Sequence, residues 1–342
     1  MLPPLVVWKA AGDGTVTEPV IDHYRESTGP GMIIVEATVV SPEGRLGRTQ
    51  LGLFDDAQVE GMARIVSVIH ESGALAAVQL HHAGRNTNLE NTFGLPLVAP
   101  SAIASGRDVP RELSEDEIQH LLECFAAAAR RAADAGFDAV EIHGAHGYLV
   151  SQFLSPLANT RTDEWGGSLE NRARFLLEAA RRMRAAAGNR LAVSCRLGAA
   201  EGAPGGLTVE EGIQVARWLE ADGMPWLHVS TGIGAGPRLG PEGGPWDDRL
   251  LLGAAVRRAV GIPVIGVGGI VTPEQAERAL AEGLVDLVAV GRGMLADPGW
   301  ARKTLAGRDD LIEHCRRCRD CHHFRQPEKC PARIALAAAG RG

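Results

Sequence analysis

Two histidines and a tyrosine stand close together in the segment His143-Gly-Ala-His146-Gly-Tyr148. An imidazole N–H can donate a hydrogen bond to a carbonyl or phenolate oxygen, and two such groups aimed at one point form a site for developing negative charge. A tyrosine with an ordinary pKa of about 10 stays protonated at neutral pH and can act as an acid. A lone histidine more often bonds to a loop, but this glycine-flanked pair followed by a tyrosine favours catalysis.

The two histidines can act on one atom only if the chain turns between them. In extended backbone, residues three positions apart point to opposite faces, so His143 and His146 would otherwise diverge. Gly144 and Gly147 permit such a turn, because glycine adopts conformations that other residues avoid. We therefore expect the pair at the end of a strand, which the apolar run over 137–145 predicts.

Short apolar runs alternate with longer amphipathic ones along most of the chain. Seven runs predict strands, at 31–40, 74–82, 137–145, 190–198, 225–232, 262–270 and 285–293, and a short eighth is expected at 2–8. Helical spacing appears at 56–73, 114–136, 170–188, 208–223, 248–261 and 272–283, and Ser114 and Glu117 have the spacing of a capping box. This alternation predicts parallel strands in a closed (β/α)8 TIM barrel over 1–309, followed by a Cys-rich tail over 310–342. An open doubly wound sheet is the alternative.

Composition narrows the classes of function. The chain has 342 residues, of which 45% are apolar, and its net charge of −7 argues against a nucleic-acid binder. No apolar run is long enough to predict a membrane span, and the N-terminus does not resemble a signal peptide. We expect a cytoplasmic protein that forms a homo-oligomer. Pro3 and Pro4 shorten the first strand, which indicates either a trimmed chain or a weak seam in the barrel.

The segment 140–175, which includes FLSPLANTRTDEWGGSLENR, resembles the signature of the Old Yellow Enzyme family, flavin oxidoreductases that reduce activated C=C bonds. Trp165 stands where that family usually has tyrosine. The resemblance implies bound FMN, NAD(P)H as a transient reductant, and a small electrophilic alkene as substrate. It further implies that His143 and His146 hold the substrate carbonyl oxygen, while Tyr148 protonates the α-carbon as hydride reaches the β-carbon.

The other strand ends provide candidate FMN contacts. The resemblance places Pro4, Leu5, Ala37, Gln79 and His143 against the flavin, and Val6 where relatives carry a hydrogen-bonding threonine or cysteine, which predicts a shifted redox potential. Arg196 is a charge inside an apolar strand, which predicts either an internal ion pair with Glu141, contact with the anionic edge of the reduced flavin, or both; the resemblance favours the flavin contact. Glycine-rich loops after the last two strands usually hold phosphate in barrels, and they indicate four phosphate contacts: Gly268, Gly269, Gly291 and Arg292.

Four cysteines in the tail have the spacing C-x2-C-x2-C-x8-C, at Cys315, Cys318, Cys321 and Cys330. Such spacing suits a [4Fe–4S] cluster or a zinc ion, for which His322 and His323 could also be ligands; free thiols are the third possibility. The tail resembles the iron–sulfur members of the family, the dienoyl-CoA reductase and trimethylamine dehydrogenase type. Two further functions therefore stay open: an iron–sulfur flavoenzyme acting on a dienoyl thioester or an amine with an external electron carrier, and a flavin-binding protein without turnover.

Overall fold

A computed structural model describes residues 1–324 and 326–340 of the chain. Each of the seven predicted strands is present within its predicted range: β1 (Met32–Val39), β2 (Leu75–His81), β5 (Ala139–Gly144), β6 (Ala192–Gly198), β7 (Leu227–Ser230), β8 (Val264–Val267) and β9 (Leu287–Ala289). They pair in parallel and in the order of the sequence, as right-handed βα units require. The short strands β3 (Val98–Ala99) and β4 (Arg111–Glu112) pair only with each other.

The N-terminal residues close this sheet. Leu2 donates its N–H to Met32 O and accepts from Ile34 N, both at 3.0 Å, while Met1 O accepts from Val290 N at 3.1 Å. The chain therefore lies between β1 and the end of β9, and the predicted (β/α)8 barrel is confirmed. The eighth strand expected over 2–8 is reduced to one bridge at Leu2, because the two prolines that follow have no N–H for a ladder.

The six predicted helices are also present, as α2 (Val59–Glu71), α3 (Glu115–Asp134), α5 (Leu169–Ala187), α6 (Val209–Ala221), α7 (Asp248–Arg257) and α8 (Pro273–Ala281). The capping box before α3 is formed, with the Ser114 N–H donating to Glu117 Oε2 at 2.9 Å. Among the described residues, five further α-helices were not expected: α1 (Glu18–Glu26), α4 (Leu149–Leu154), α9 (Arg292–Ala296), α10 (Trp300–Leu305) and α11 (Pro331–Ala338). Within the described ranges, no helix has the length and apolar character needed to cross a bilayer.

Strand alternation separates the packed core from the site. Val140 and Ile142 on β5 join the large cluster between sheet and helices, whereas Ala139 belongs to a small apolar cluster with Ile34 and Ala77. Residues 139, 141 and 143 share the other face of the strand, since side chains alternate with a period of two. The apolar cluster thus fills one end of the barrel, and the polar residues that follow it lead to the carboxyl ends of the strands, where barrel enzymes place their chemistry.

Candidate active site

The chain turns after β5 and brings the two histidines together. His146 adopts φ +61° and Gly147 φ +75°, and the backbone N–H of His146 donates to Thr231 O at 3.0 Å. The two imidazole rings then lie with their centroids 5.1 Å apart and nearly perpendicular, and the Tyr148 ring lies 4.9 Å from that of His143. The predicted turn exists, but it is made at positions 146–147, and Gly144 remains part of the strand. All three predicted catalytic side chains therefore occupy one site.

Burial sets the protonation of these three groups. It is the main cause that holds the pKa of His143 and His146 well below the ordinary value of 6.5, and neighbouring positive groups add to the effect. Burial also raises the pKa of Tyr148 above its ordinary value. At neutral pH the site thus contains two neutral imidazoles and a protonated phenol. His146 Nε2 lies 2.8 Å from Ser230 Oγ, so its Nδ1 remains for another partner.

A buried carboxylate, that of Glu141, bonds to two side chains in the next layer of the barrel. Glu141 accepts from Gln79 Nε2 through one oxygen and contacts His228 Nδ1 through the other, each at 2.8 Å. Arg196, on the neighbouring strand, pairs in register with His143 and His228. No direct ion pair between Arg196 and Glu141 is found among the described residues, but the charge of Glu141 acts on Arg196 and opposes the lowering of its pKa by burial. The Nε atom of Arg196 is buried, and it has no hydrogen-bond partner among the described residues.

The predicted phosphate contacts line one pocket. It is bordered by the ends of β8 and β9, by the N-terminal segment and by Arg196, and its lining includes Pro3, Leu5, Gly268, Gly269, Gly291 and Arg292. Gly268 has φ +133°, and a Cβ there would meet Asp247 Oδ1 at 2.8 Å, so the turn requires glycine. Sequence reasoning did not assign Arg249, Cys315 and Arg317 to this pocket, although it named Cys315 as a possible metal ligand. Arg249 follows a helix N-cap and the other two lie in the tail, where no periodic pattern indicates a position.

The remaining predicted flavin contacts lie in the N-terminal segment and on β1. Pro4 is buried and Val6 half-buried, and the next residue donates its N–H to Glu36 Oε2 at 3.1 Å, which fixes the N-terminal segment near the end of β1. Ala37 is buried at a bulge of β1, and its carbonyl accepts from Gln50 Nε2 at 2.7 Å. The structure thus places Ala37 near the carboxyl end of β1, and Pro4 and Val6 in the irregular segment that follows the Leu2 bridge.

One residue of the site, His81, was missed although its position could have been found. It shares a strand face with Gln79, two residues earlier, and its ring lies 4.5 Å from that of Tyr148 in an edge-to-face contact. Burial lowers the pKa of His81 to about 3, and neither ring nitrogen has a partner among the described residues. A buried polar group without a partner is costly, so the ring is retained here at the expense of stability.

The four tail cysteines are free and partly exposed. Within residues 1–324 and 326–340, no group of three or more cysteine, histidine or acidic side chains has the arrangement of a metal site. The geometry therefore does not fit the cluster or zinc ion that their spacing suggests. By contrast, the unpartnered Arg196 Nε and the glycine turn at 268–269 fit an anionic flavin with a terminal phosphate.

Comparisons with known proteins agree with this fit. The family model described as the NADH:flavin oxidoreductase / NADH oxidase family matches residues 1–310. A Thermoanaerobacter brockii protein named NADH oxidase is 43% identical over 93% of this chain, which spans 50% of that relative's length. The NADPH dehydrogenase of Halalkalibacterium halodurans is 40% identical over a region that covers 85% of this chain and 84% of the length of that relative. The solved structure of the Old Yellow Enzyme homologue from Zymomonas mobilis is 31% identical, with a TM-score of 0.77, over 90% of this chain and 88% of that one.

Proposed function

The chain belongs to the NADH:flavin oxidoreductase / NADH oxidase family, and from that premise we propose that it is an FMN-dependent NAD(P)H oxidoreductase that reduces the activated C=C bond of α,β-unsaturated carbonyl compounds. Bound FMN would take electrons from the nicotinamide and supply the hydride. The observation that carries the proposal is the convergence of His143 and His146 with Tyr148, because ene reduction needs donors for a carbonyl oxygen and a proton for the adjacent carbon.

Several residues of the chain would hold the cofactor. Gln79 has its amide nitrogen bound by Glu141, which leaves its oxygen to accept from the pyrimidine edge. Arg196 would face the anionic edge of the reduced ring, since its Nε is buried without a partner in the described chain. The resemblance adds the ring contacts Pro4, Leu5, Val6, Ala37 and His143. The glycines and the arginine that line the pocket at the last two strands, Gly268, Gly269, Gly291 and Arg292, would bind the phosphate.

The two histidines would bind and polarise the substrate carbonyl. Each is neutral at neutral pH, because burial lowers its pKa, and each therefore has one N–H to donate. Negative charge grows on the carbonyl oxygen as the alkene is reduced, so donors fixed in advance stabilise the transition state more than the ground state. The loss of one donor of this kind typically costs about 3 kcal/mol, or roughly 10² to 10³ in rate.

Tyr148 would deliver the proton to the α-carbon. Its phenol stays protonated because burial raises its pKa, and packing against His81 and His143 holds the ring in place. General acids placed in this way contribute about 10² to 10⁴ in rate.

The test is the Tyr148→Phe variant, measured in each half-reaction separately. We expect NADPH to bleach the visible flavin band at the wild-type rate, while reoxidation by 2-cyclohexenone slows by about 10² or more. Tyr24→Phe is the matched control, because it removes the hydroxyl of the chain's only other tyrosine. If 2-cyclohexenone reoxidised the flavin of Tyr148→Phe at the wild-type rate, the role of Tyr148 as proton donor would be refuted. A flavin that neither NADH nor NADPH bleaches would refute the oxidoreductase and leave a flavin-binding protein without turnover.

The iron–sulfur alternative has no support from the described side chains of the tail, which form no ligand group. It stays a prediction from cysteine spacing alone, as do the cytoplasmic location and the homo-oligomer. Iron, zinc and acid-labile sulfide measured in anaerobically purified protein decide between a cluster, a zinc ion and free thiols.

A further inference from the structure

The chain segment that follows the barrel is fixed at its start. Ile312 is buried, and the N–H of Glu313 donates to Asp297 Oδ2 at 2.9 Å. Asp297 is itself fully buried and also binds Lys303 Nζ at 2.6 Å. Residues 312–318, which we call the strap, therefore leave the barrel from a defined point and run to the mouth of the phosphate pocket.

Arg317 lies where the strap meets that pocket. Its Nη2 donates to Gly269 O at 2.8 Å, and Arg317 and Cys315 line the same pocket as Gly268 and Arg292. Arg317 also has φ +51°, a left-handed conformation that costs a residue with a side chain about 1 kcal/mol or more. The backbone is thus strained at the position from which this side chain reaches the glycine turn.

Four arginines line the pocket, and they outnumber the carboxylates whose charge acts on them, Asp247 and Glu141. Arg249 is neutralised by Asp247, with Nε–Oδ1 at 2.8 Å and Nη2–Oδ2 at 2.9 Å. For Arg292 and Arg317 the described residues offer no carboxylate within 4.0 Å, and the same holds for Arg196. Like charges gathered at one cavity repel each other, and an anion with several acceptor oxygens would relieve this repulsion. A phosphate monoester is such an anion.

We propose that the strap completes the binding site for the FMN phosphate, with Arg317 as a phosphate-binding residue contributed from outside the barrel. This inference rests on the proposed function, because FMN is the phosphate monoester concerned. The guanidinium would cover the phosphate from the solvent side while its bond to Gly269 O keeps it at the glycine turn. The strap would therefore set how tightly the cofactor is retained and would leave the chemistry of the substrate site unchanged.

The test compares FMN with riboflavin, which lacks the phosphate, in titrations of the full-length apoprotein followed by flavin fluorescence. Arg317→Gly is the informative variant, because glycine adopts a positive φ without strain and the fold should tolerate it. We expect the Kd for FMN to rise about tenfold, which corresponds to about 1.4 kcal/mol, and the Kd for riboflavin to stay within twofold. Added salt should narrow the difference between variant and wild type.

Arg316→Gly is the matched control, because it removes the adjacent arginine, which is exposed and pairs with Glu313. If the Kd for FMN rose equally in both variants, the loss of one positive charge near the pocket would explain the effect, and the inference would be overturned. An unchanged FMN Kd in Arg317→Gly would overturn it as well, and so would an equal rise for riboflavin, which contains no phosphate. Failure of the wild-type apoprotein to bind FMN would instead refute the proposed function.

Discussion

The Glu141 carboxylate and the His228 imidazole meet inside the barrel, with Oε2 and Nδ1 2.8 Å apart, and neither side chain is exposed to solvent. Burial lowers the pKa of His228, and the charge of Glu141 opposes that effect. The second oxygen of Glu141 binds Gln79, so one carboxylate ties together strands β2, β5 and β7. The amide expected at the edge of the flavin is thus oriented by a group that need not touch the flavin.

Glu141→Ala should lower both the free energy of unfolding and the amount of FMN that the protein retains. Removing the carboxylate leaves the buried Gln79 amide and His228 imidazole without this hydrogen bond, which typically costs about 1–3 kcal/mol for each group. We expect a loss of this size in the free energy of unfolding from urea titration, together with a lower FMN content after purification. Glu141→Gln, which can still bond to both neighbours, should recover most of both. Glu123→Ala is the control, because its exposed pair with Arg182 contributes about 1 kcal/mol or less; equal losses in Glu141→Ala and Glu123→Ala would contradict the assignment.

Ser230→Ala should impair substrate reduction through His146. The hydroxyl fixes one imidazole nitrogen at 2.8 Å and so determines which way the other nitrogen faces. A small misplacement of a catalytic group can cost up to about 10² in rate, and we expect about a tenfold lower kcat/KM for the alkene. Ser230→Thr keeps the hydroxyl and should restore the rate. The control is Ser194→Ala, another buried strand serine, whose hydroxyl bonds to Val140 O; a rate loss there as large as in Ser230→Ala would contradict the role of Ser230.

Glu36 should make the protein less stable as the pH rises. Burial raises the pKa of this carboxyl from 4.5 to about 8, although the Val7 N–H bonds to it. Between these two values the folded protein binds a proton that the unfolded chain has lost, so the free energy of unfolding falls as pH increases. Glu36→Gln should remove this slope and gain stability relative to wild type up to about pH 8. The buried histidines act in the opposite direction below pH 6.5, but they are common to both proteins and cancel in the difference.

Denaturant titrations across this pH range would measure the effect. Glu60→Gln, at an exposed position on α2, is the control and should run parallel to wild type at every pH. A Glu36→Gln curve that also runs parallel to wild type would show that the carboxyl ionises normally in the folded protein.

The barrel could be predicted from the sequence because the spacing of apolar residues in long segments indicates whether they form helices or strands. All seven strands and the six amphipathic helices lie where apolar spacing indicates them. Three of the unexpected helices had no such signal: every residue of α4 is buried, so it shows no alternation between faces, and α9 and α10 have only five and six residues. The helix α1 could have been found, because it buries Val20, Ile21 and Tyr24 at helical spacing. The eighth strand is shorter than expected because prolines leave a single bridge.

The site could be predicted in part. The motif indicated the histidine pair and the tyrosine, but the turn depends on a left-handed His146, and the spacing of the motif does not indicate that conformation at this position. His81 could have been found from strand alternation, since it lies two residues after Gln79 on the same face. Arg249 and Arg317 could not, because their contact with the pocket depends on how the first turn of α7 and the tail pack against the barrel.

Val6 should lower the redox potential of the bound flavin relative to a chain with threonine there. Threonine has nearly the same shape, but it adds a hydroxyl that can donate to the more electron-rich reduced ring. A hydrogen bond that favours the reduced form by about 1.4 kcal/mol raises a two-electron potential by about 30 mV. We therefore expect Val6→Thr to raise the potential by about this amount in a dye-linked titration, and Val6→Ala, which adds no donor, to leave it near wild type. If the two variants titrate together, the side chain at position 6 acts through packing and hydrogen bonding has no part in it.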